Sequence, residues 1–325
     1  MKTIGLGNPL LDVLVRLSGD ELLGEVGLLK NAMVLIDREK MLEIRSKVEN
    51  LPISMIPGGS SANTIRAMAT LGAPVGYLGK IGTDTYGDFY EEQLLKKGAV
   101  SHLLRKDTDS GISTVLISAD GERTMGTYLG PAAELVYQDI TEDILSQYDT
   151  VYIEGYLIIN DALFRGVLKD AKRLGLKVAL DLASFNVVED NKATLLEVIP
   201  EYVDILFANE EEAAAFTGKA PVEALHEIAE MVDIAVVKVG AKGAYISQNG
   251  EVTHVEAYGG APIDTTGAGD CFAAGFLFGL TQQADMKACG ELGSLLGGTV
   301  IAQVGPEIPE SEWEQIKLKV NEILG

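Results

Sequence analysis

The sequence predicts an α/β protein with a doubly wound, mostly parallel sheet flanked by helices and a small β-sheet lid. Three observations lead there. Short aliphatic runs alternate with helix-period segments over most of the chain, the pattern of βαβ crossovers. Hydrophobic residues make up 47% of the 325 positions and aromatic ones only 6%, which describes an aliphatic core with enough material to cover both faces of a sheet. Four stretches within the first 130 or so residues break the rhythm with their own alternation of apolar and polar residues.

Along the chain, "TIGLG" reads as the first buried strand and Ser60 to Gly72 as a helix. "VGYLGKIG" is followed by a helix from Tyr86 to Lys97, and "TVYIEGY" by one from Asp161 to Leu174. "KVALDLA", "VDILFAN" with a helix from Glu210 to Thr217, and "IAVVKVG" continue the series. "GAYISQNGEVTHVEAY" reads as a hairpin turning at Asn249-Gly250, because that pair suits a two-residue turn with positive φ. Three helical segments close the chain. The four stretches out of rhythm are "DVLVRL", "NAMVLID", "GISTVLIS" and "RTMGTYLG", separated by no long helix, only by the brief "DELLGEVGL". They place the lid in 13–37 and 111–129 and the large body in 1–12, 38–110 and 130–325.

A net charge of −22 argues against nucleic acid as a partner, since phosphate backbones are held by Lys and Arg stripes absent here. No long uninterrupted apolar segment or secretory signal is evident, so the expectation is a cytoplasmic protein without membrane attachment, with Cys271 and Cys289 as free buried thiols. His102, His226 and His254 form no zinc-type cluster and give a Ser/His/Asp triad little to build on.

The chemistry gathers in a few stretches. In "DTTGAGDCFAAGF" the glycines permit a tight turn, and the helix that follows aims its free N–H groups at whatever anion occupies that turn. Asp270 in the first helical turn serves either as a cap for those amides or as a base beside a phosphate. "NEEEAAAF" puts Asn209 and Glu212 at the carboxyl end of a parallel strand, three residues apart on one helical face. That pattern suits water-mediated Mg²⁺ near phosphates, or simply a solvated helix start. "KVGAKGAY" places Lys238, Gly240 and Gly243 after another buried strand, at the edge where ligands bind. Asp12 in "GNPLLD", with Gly58, Gly59 and Asn63 in "PGGSSANTIRAMATLG", supplies the bidentate acceptor and close backbone donors that a diol needs; an Asp in a turn and a Gly-Gly loop is the plainer account. No GxxxxGK[ST] is present, and the first strand leads into "GLGNPL" without GxGxxG, which argues against a P-loop site and against a dinucleotide-dependent oxidoreductase.

Taken together and in order, "GNPLLD", "GGSSANTIRAMATLG", "GKIGTDTYG", "GERTMGTYLGPAAEL", "NEEEAAAF", "VVKVGAKGAY" and "DTTGAGDCFAAGF" resemble the ribokinase/PfkB family of ATP-dependent carbohydrate and nucleoside kinases. The resemblance implies a ribokinase-like fold, with Asp270 as catalytic base and Thr266, Gly267, Ala268 and Gly269 leading into or forming the anion hole. It implies Asn209 and Glu212 at Mg²⁺, Lys238, Gly240 and Gly243 at the nucleotide, and Asp12, Gly58, Gly59 and Asn63 at the acceptor's hydroxyls. Arg123 matches an arginine brought toward the phosphates on closure, and Asp264 and Thr266 match positions that bind a monovalent cation such as K⁺ in some members.

"NPLLD" and "VDILFANEEEAAAF" look closest to adenosine kinases, in which Tyr156 and Leu157 align with a pair of aromatics, so one stacking ring is replaced. The expectation is an ATP- and Mg²⁺-dependent kinase, a monomer or homodimer, acting on a primary hydroxyl of a nucleoside. A free-sugar or sugar-acid kinase and a non-catalytic binding protein on the same fold are the alternatives; retention of Asp270 speaks against the second.

Overall fold

A computed structural model describes residues 1–30 and 32–325. Asn31, at the start of the stretch "NAMVLID", lies outside the described residues.

Nine strands form the main sheet in the spatial order Glu251–Val255, Ala244–Gln248, Ile234–Lys238, Ile205–Asn209, Lys177–Asp181, Thr150–Glu154, Thr3–Leu6, Val75–Gly82 and Val100–Lys106. The seven from Ile234–Lys238 onward run parallel. The first two form the antiparallel hairpin expected from "QNGE", and its turn has positive φ at Asn249 and Gly250. The sheet is built outward from its first strand in both directions. The crevice between Thr3–Leu6 and Thr150–Glu154 is therefore the point where the winding reverses, and ligands of open α/β sheets bind at the carboxyl edge beside such a point.

Two aliphatic cores cover the two faces. One contains Met68, Tyr77, Phe207, Phe276 and Leu296, beneath helices Ser60–Thr70, Ala268–Thr281 and Met286–Val300. The other contains Ile153, Phe164, Val198 and Phe216, beneath helices Asp161–Leu174, Phe185–Tyr202 and Glu210–Thr217. The small-residue run after Asp270 lets its helix pack closely on Met286–Val300, where a Cβ on Gly275 would clash with the Leu292 carbonyl oxygen. Both cysteines are free and buried, and among the described residues no helix is long and apolar enough to cross a membrane.

A second sheet has the order Met33–Leu35, Arg123–Tyr128, Ile112–Ile117, Leu11–Arg16 and Ile53–Pro57. It contains the four stretches set apart in the sequence, but it is larger than the expected 13–37 and 111–129. Strand Ile53–Pro57 pairs antiparallel with Leu11–Arg16, and helix Arg38–Val48 buries Met41, Ile44 and Val48 against the small sheet's Val13, Val15 and Leu116. Residues 38–57, read from the sequence as part of the large body, thus complete the small sheet. The reason is physical: an amphipathic helix shows which of its faces is buried, not which sheet buries it.

The face away from that helix carries Asp12, with Ser113, Thr127 and Leu35 beside it in register. Val34 lies on the opposite face, paired with Gly126, where a Cβ would meet Ile44 and Ile36.

Candidate active site

The four parallel strands on one side of the winding reversal each end in a polar residue, and a polar residue lies just beyond the first strand. Asn8 follows the first strand; Glu154, Asp181, Asn209 and Lys238 are the last residues of theirs. Glu154 is 1% exposed and ties three segments together. It accepts from Asn8 N at 2.9 Å, Asn8 Nδ2 at 2.7 Å and Ser61 N at 3.0 Å. Burial pushes its carboxyl up to about 7 against those hydrogen bonds. The Ser60–Thr70 helix is thereby anchored at its start, where Gly59 has φ 91° and approaches so closely that a Cβ would stand 2.3 Å from Asn8 O.

That helix faces the start of Ala268–Thr281. Ser60 Oγ donates to Asp270 Oδ1 at 2.6 Å, Asn63 Nδ2 to Asp270 Oδ2 at 2.8 Å, and Thr64 Oγ1 to the Asp270 carbonyl at 3.0 Å. Gly267, at φ 76°, turns the chain into the helix in a conformation that costs other residues free energy. The Ala268 amide donates to Thr265 O and the Thr266 amide to Asp264 Oδ1, whereas those of Gly267, Gly269 and Asp270 have no partner among the described residues. Three amides at a helix start make an anion site. Asp270 caps none of them: both its oxygens are directed at Ser60 and Asn63 instead.

Lys238 lies on the other side of the turn, 3.0 Å from where a Cβ on Gly269 would stand. Its Nζ donates to Asp181 Oδ2 at 2.9 Å, and this buried pair was not foreseen from the sequence. Burial opposes its charge, but Asp181, then Glu212 and Asp270, hold its pKa above the ordinary lysine value. Burial raises Glu212 to about 7, with Asp181 adding to the rise. Asn209 and Glu212 form a reciprocal cap: Glu212 accepts from Asn209 N and Nδ2, each at 2.7 Å, and Asn209 Oδ1 accepts from the amides of Glu211 and Glu212. Both Glu212 oxygens are thus engaged, and among the described residues no group of three or more His, Cys, Asp or Glu is arranged to hold a metal.

The small sheet reaches the same turn. Arg123 pairs with Asp264 at 2.7 Å and donates to Thr266 Oγ1 at 3.3 Å, while Asp264 also accepts from Gly305 N at 2.6 Å. Asp264 and Thr266, expected at a monovalent cation, are engaged by a guanidinium here. Asp12 faces Gly58, where a Cβ would come within 2.8 Å of Oδ2; burial pushes the Asp12 carboxyl up to about 7 although Arg66 and Arg123 favour its charge. Gly240 and Gly243 lie farther out, in the turn after Lys238, with Gly243 packed on Val255 and Ala257. Tyr156 is 37% exposed at the sheet edge, whereas Leu157 is buried.

The structure therefore brings Asp12, Gly58, Gly59, Asn63, Arg123, Lys238, Asp264, Thr266 and the Gly267–Asp270 turn into one crevice, with the Asn209–Glu212 cap beside Lys238. Sequence reasoning missed Glu154, Asp181 and Arg66. The available signal was a charged residue inside an otherwise apolar run, since such a side chain must find a partner when buried.

A carboxylate beside open helix-start amides and a buried lysine, at the reversal point of a doubly wound sheet, suits phosphoryl transfer. Residues 26–313 match the pfkB family of carbohydrate kinases, and the chain belongs to that family. It is a kinase. The fold superposes on a probable sugar kinase from Rhizobium etli with a TM-score of 0.86 at 32% identity, covering 98% of each chain. It superposes on the adenosine kinase of Sinorhizobium meliloti with a TM-score of 0.85 at 31% identity, again over 98% of each. A 5-dehydro-2-deoxygluconokinase from Bacillus subtilis is 27% identical over 80% of this chain and 85% of its own.

The acid limb of activity follows from the site. Asp270 is pushed up to about 6, by burial first and by Asp181 second, with Ser60 and Asn63 opposing. With Asp270 in the role of base it must be ionised, and activity is then lost as pH falls through that value. We expect kcat/KM to rise about tenfold per pH unit below about 6 and to level off above it, a profile that reports the free enzyme. A profile flat down to pH values near the ordinary Asp pKa of about 4 would show that Asp270 is not raised by its burial.

Proposed function

We propose that this kinase transfers the γ-phosphoryl group of ATP to a primary hydroxyl of a nucleoside, adenosine-like in shape, with Asp270 as general base. The observation that carries the reading is Asp270 itself, held by Ser60 and Asn63 from the acceptor-side helix at the mouth of a turn with three open amides. Asp270 accepts the proton of the attacking hydroxyl. The amides of Gly267, Gly269 and Asp270, with Lys238, receive the charge of the moving phosphoryl group. The residues suit an anion directly. They suit Mg²⁺ only through water, with Glu212 and Asn209 nearest, and a bound Mg²⁺ would neutralise phosphate charge.

Asp12 and the Gly58-Gly59 turn suit the acceptor's vicinal hydroxyls. The small sheet, tied to the anion turn by Arg123, acts as a lid that excludes water. The nucleoside reading is supported by the likeness to an adenosine kinase over 98% of the chain, and by Leu35, exposed on the Asp12 face where it can cover a base. An ADP-release assay with ATP and Mg²⁺, run over adenosine, ribose, fructose and sugar acids, should give adenosine the highest kcat/KM. A higher value for a free sugar or sugar acid would replace the acceptor and leave the phosphoryl transfer in place.

A further inference from the structure

Arg66 lies in the middle of the Ser60–Thr70 helix and is only 4% exposed, an unusual place for a guanidinium. Its Nη2 donates to Asn63 Oδ1 at 2.9 Å, whereas Nε and Nη1 meet no partner among the described residues. The cavity beside it, bordered also by Lys97, Cys271, Glu307 and Trp313, measures about 10 Å³, room for about one water and no more. A buried cation with one protein hydrogen bond is costly, and replacing such groups with apolar ones of similar size is often neutral or stabilising. Its one bond, however, ends on the residue that holds the base.

An amide has one acceptor and one donor end, and Arg66 can only donate. With Oδ1 of Asn63 turned to Arg66, Nδ2 is compelled to face Asp270, and it does so at 2.8 Å. Were the amide flipped, Oδ1 would oppose the Asp270 carboxylate and the Nδ2 hydrogens would oppose the guanidinium, so both contacts would become repulsive. We propose that Arg66 is a positioning residue for catalysis: through Asn63 it fixes the orientation of the Asp270 carboxylate toward the acceptor hydroxyl. The proposal rests on the reading of Asp270 as base.

Arg66→Met removes charge and donor while keeping much of the volume. The expected result is a melting temperature equal to or above the wild type, an unchanged KM for ATP, and a kcat lower by about 10- to 100-fold in single-turnover transfer from ATP to adenosine, or to the free sugar should that prove the better acceptor. Arg66→Lys, which keeps a cationic donor, should recover most of the rate. In an Asn63→Ala background the Arg66→Met loss should vanish, because the route through the amide is already gone. If Arg66→Met does not fold, Arg66→Gln, whose amide stops short of the Nη2 position, is read the same way. A wild-type kcat in the Met or Gln variant overturns the proposal, as do losses from Arg66→Met and Asn63→Ala that simply multiply. Failure of the underlying reading looks different: Asp270→Asn would then turn over at the wild-type rate whatever stands at position 66.

Discussion

Asp270→Asn is expected to leave the protein folded and to lower kcat by at least about 10²–10⁴-fold, the usual worth of a general base. The amide keeps the side chain's size. It can still meet Ser60 Oγ through its oxygen, at the position where Asp270 Oδ1 accepts at 2.6 Å. It cannot remove a proton. The structural alternative makes the opposite forecast: a helix cap is worth about 1 kcal/mol of stability and nothing in chemistry. The geometry speaks against the cap, since Asp270 directs its oxygens at Ser60 and Asn63 on the neighbouring helix and at no amide of its own. Thermal unfolding and single-turnover transfer measured on one preparation decide it. A variant that melts early yet transfers phosphate at the wild-type rate would leave this kinase without a base.

Eight of the main sheet's nine strands were legible, most of them as apolar runs separated by helix-length segments, a period that survives whatever the helices pack on; Val100–Lys106, with His102, Arg105 and Lys106, breaks that pattern and was not read as a strand. The boundary of the small sheet was not legible, because residues 38–57 form a helix and strand indistinguishable in sequence from a crossover unit. The glycine turn and Asp270 were legible because backbone geometry restricts such a site to few residue types. Asn209 and Glu212 were legible as a spacing, yet the same spacing writes a capping box, and only coordinates show that both Glu212 oxygens are engaged in one. Glu154 and Asp181 belong to no spacing at all, and Arg66, three residues after Asn63, completes no motif by that spacing. Their partners, Ser61, Lys238 and Asn63, come from other strands and helices or from the adjoining helical turn, and their roles depend on burial that no linear pattern reports.

Lys238→Met should produce two losses with different remedies. The buried pair with Asp181 is broken, leaving Asp181 with Glu212 and Asp270 nearby and no cation among them. Removing one partner of such a pair costs about 3–5 kcal/mol. The cation beside the anion turn is also gone, and removal of one preorganised donor to developing charge typically lowers kcat about 10²–10³-fold. Adding Asp181→Asn to Lys238→Met removes the stranded carboxylate. Stability should then return toward the wild-type value, because a neutral amide beside a thioether replaces the carboxylate that the lost cation had paired directly. Phosphoryl transfer should stay low, because nothing in the double variant supplies positive charge where Lys238 Nζ stood, 3.0 Å from the Cβ position of Gly269. The pair of variants thus separates Lys238 as structural counter-ion from Lys238 as a group that meets the phosphoryl charge. If the double variant regains both its melting temperature and its rate, the lysine is there only to neutralise Asp181, and the amides of the Gly267–Asp270 turn carry the anion without it.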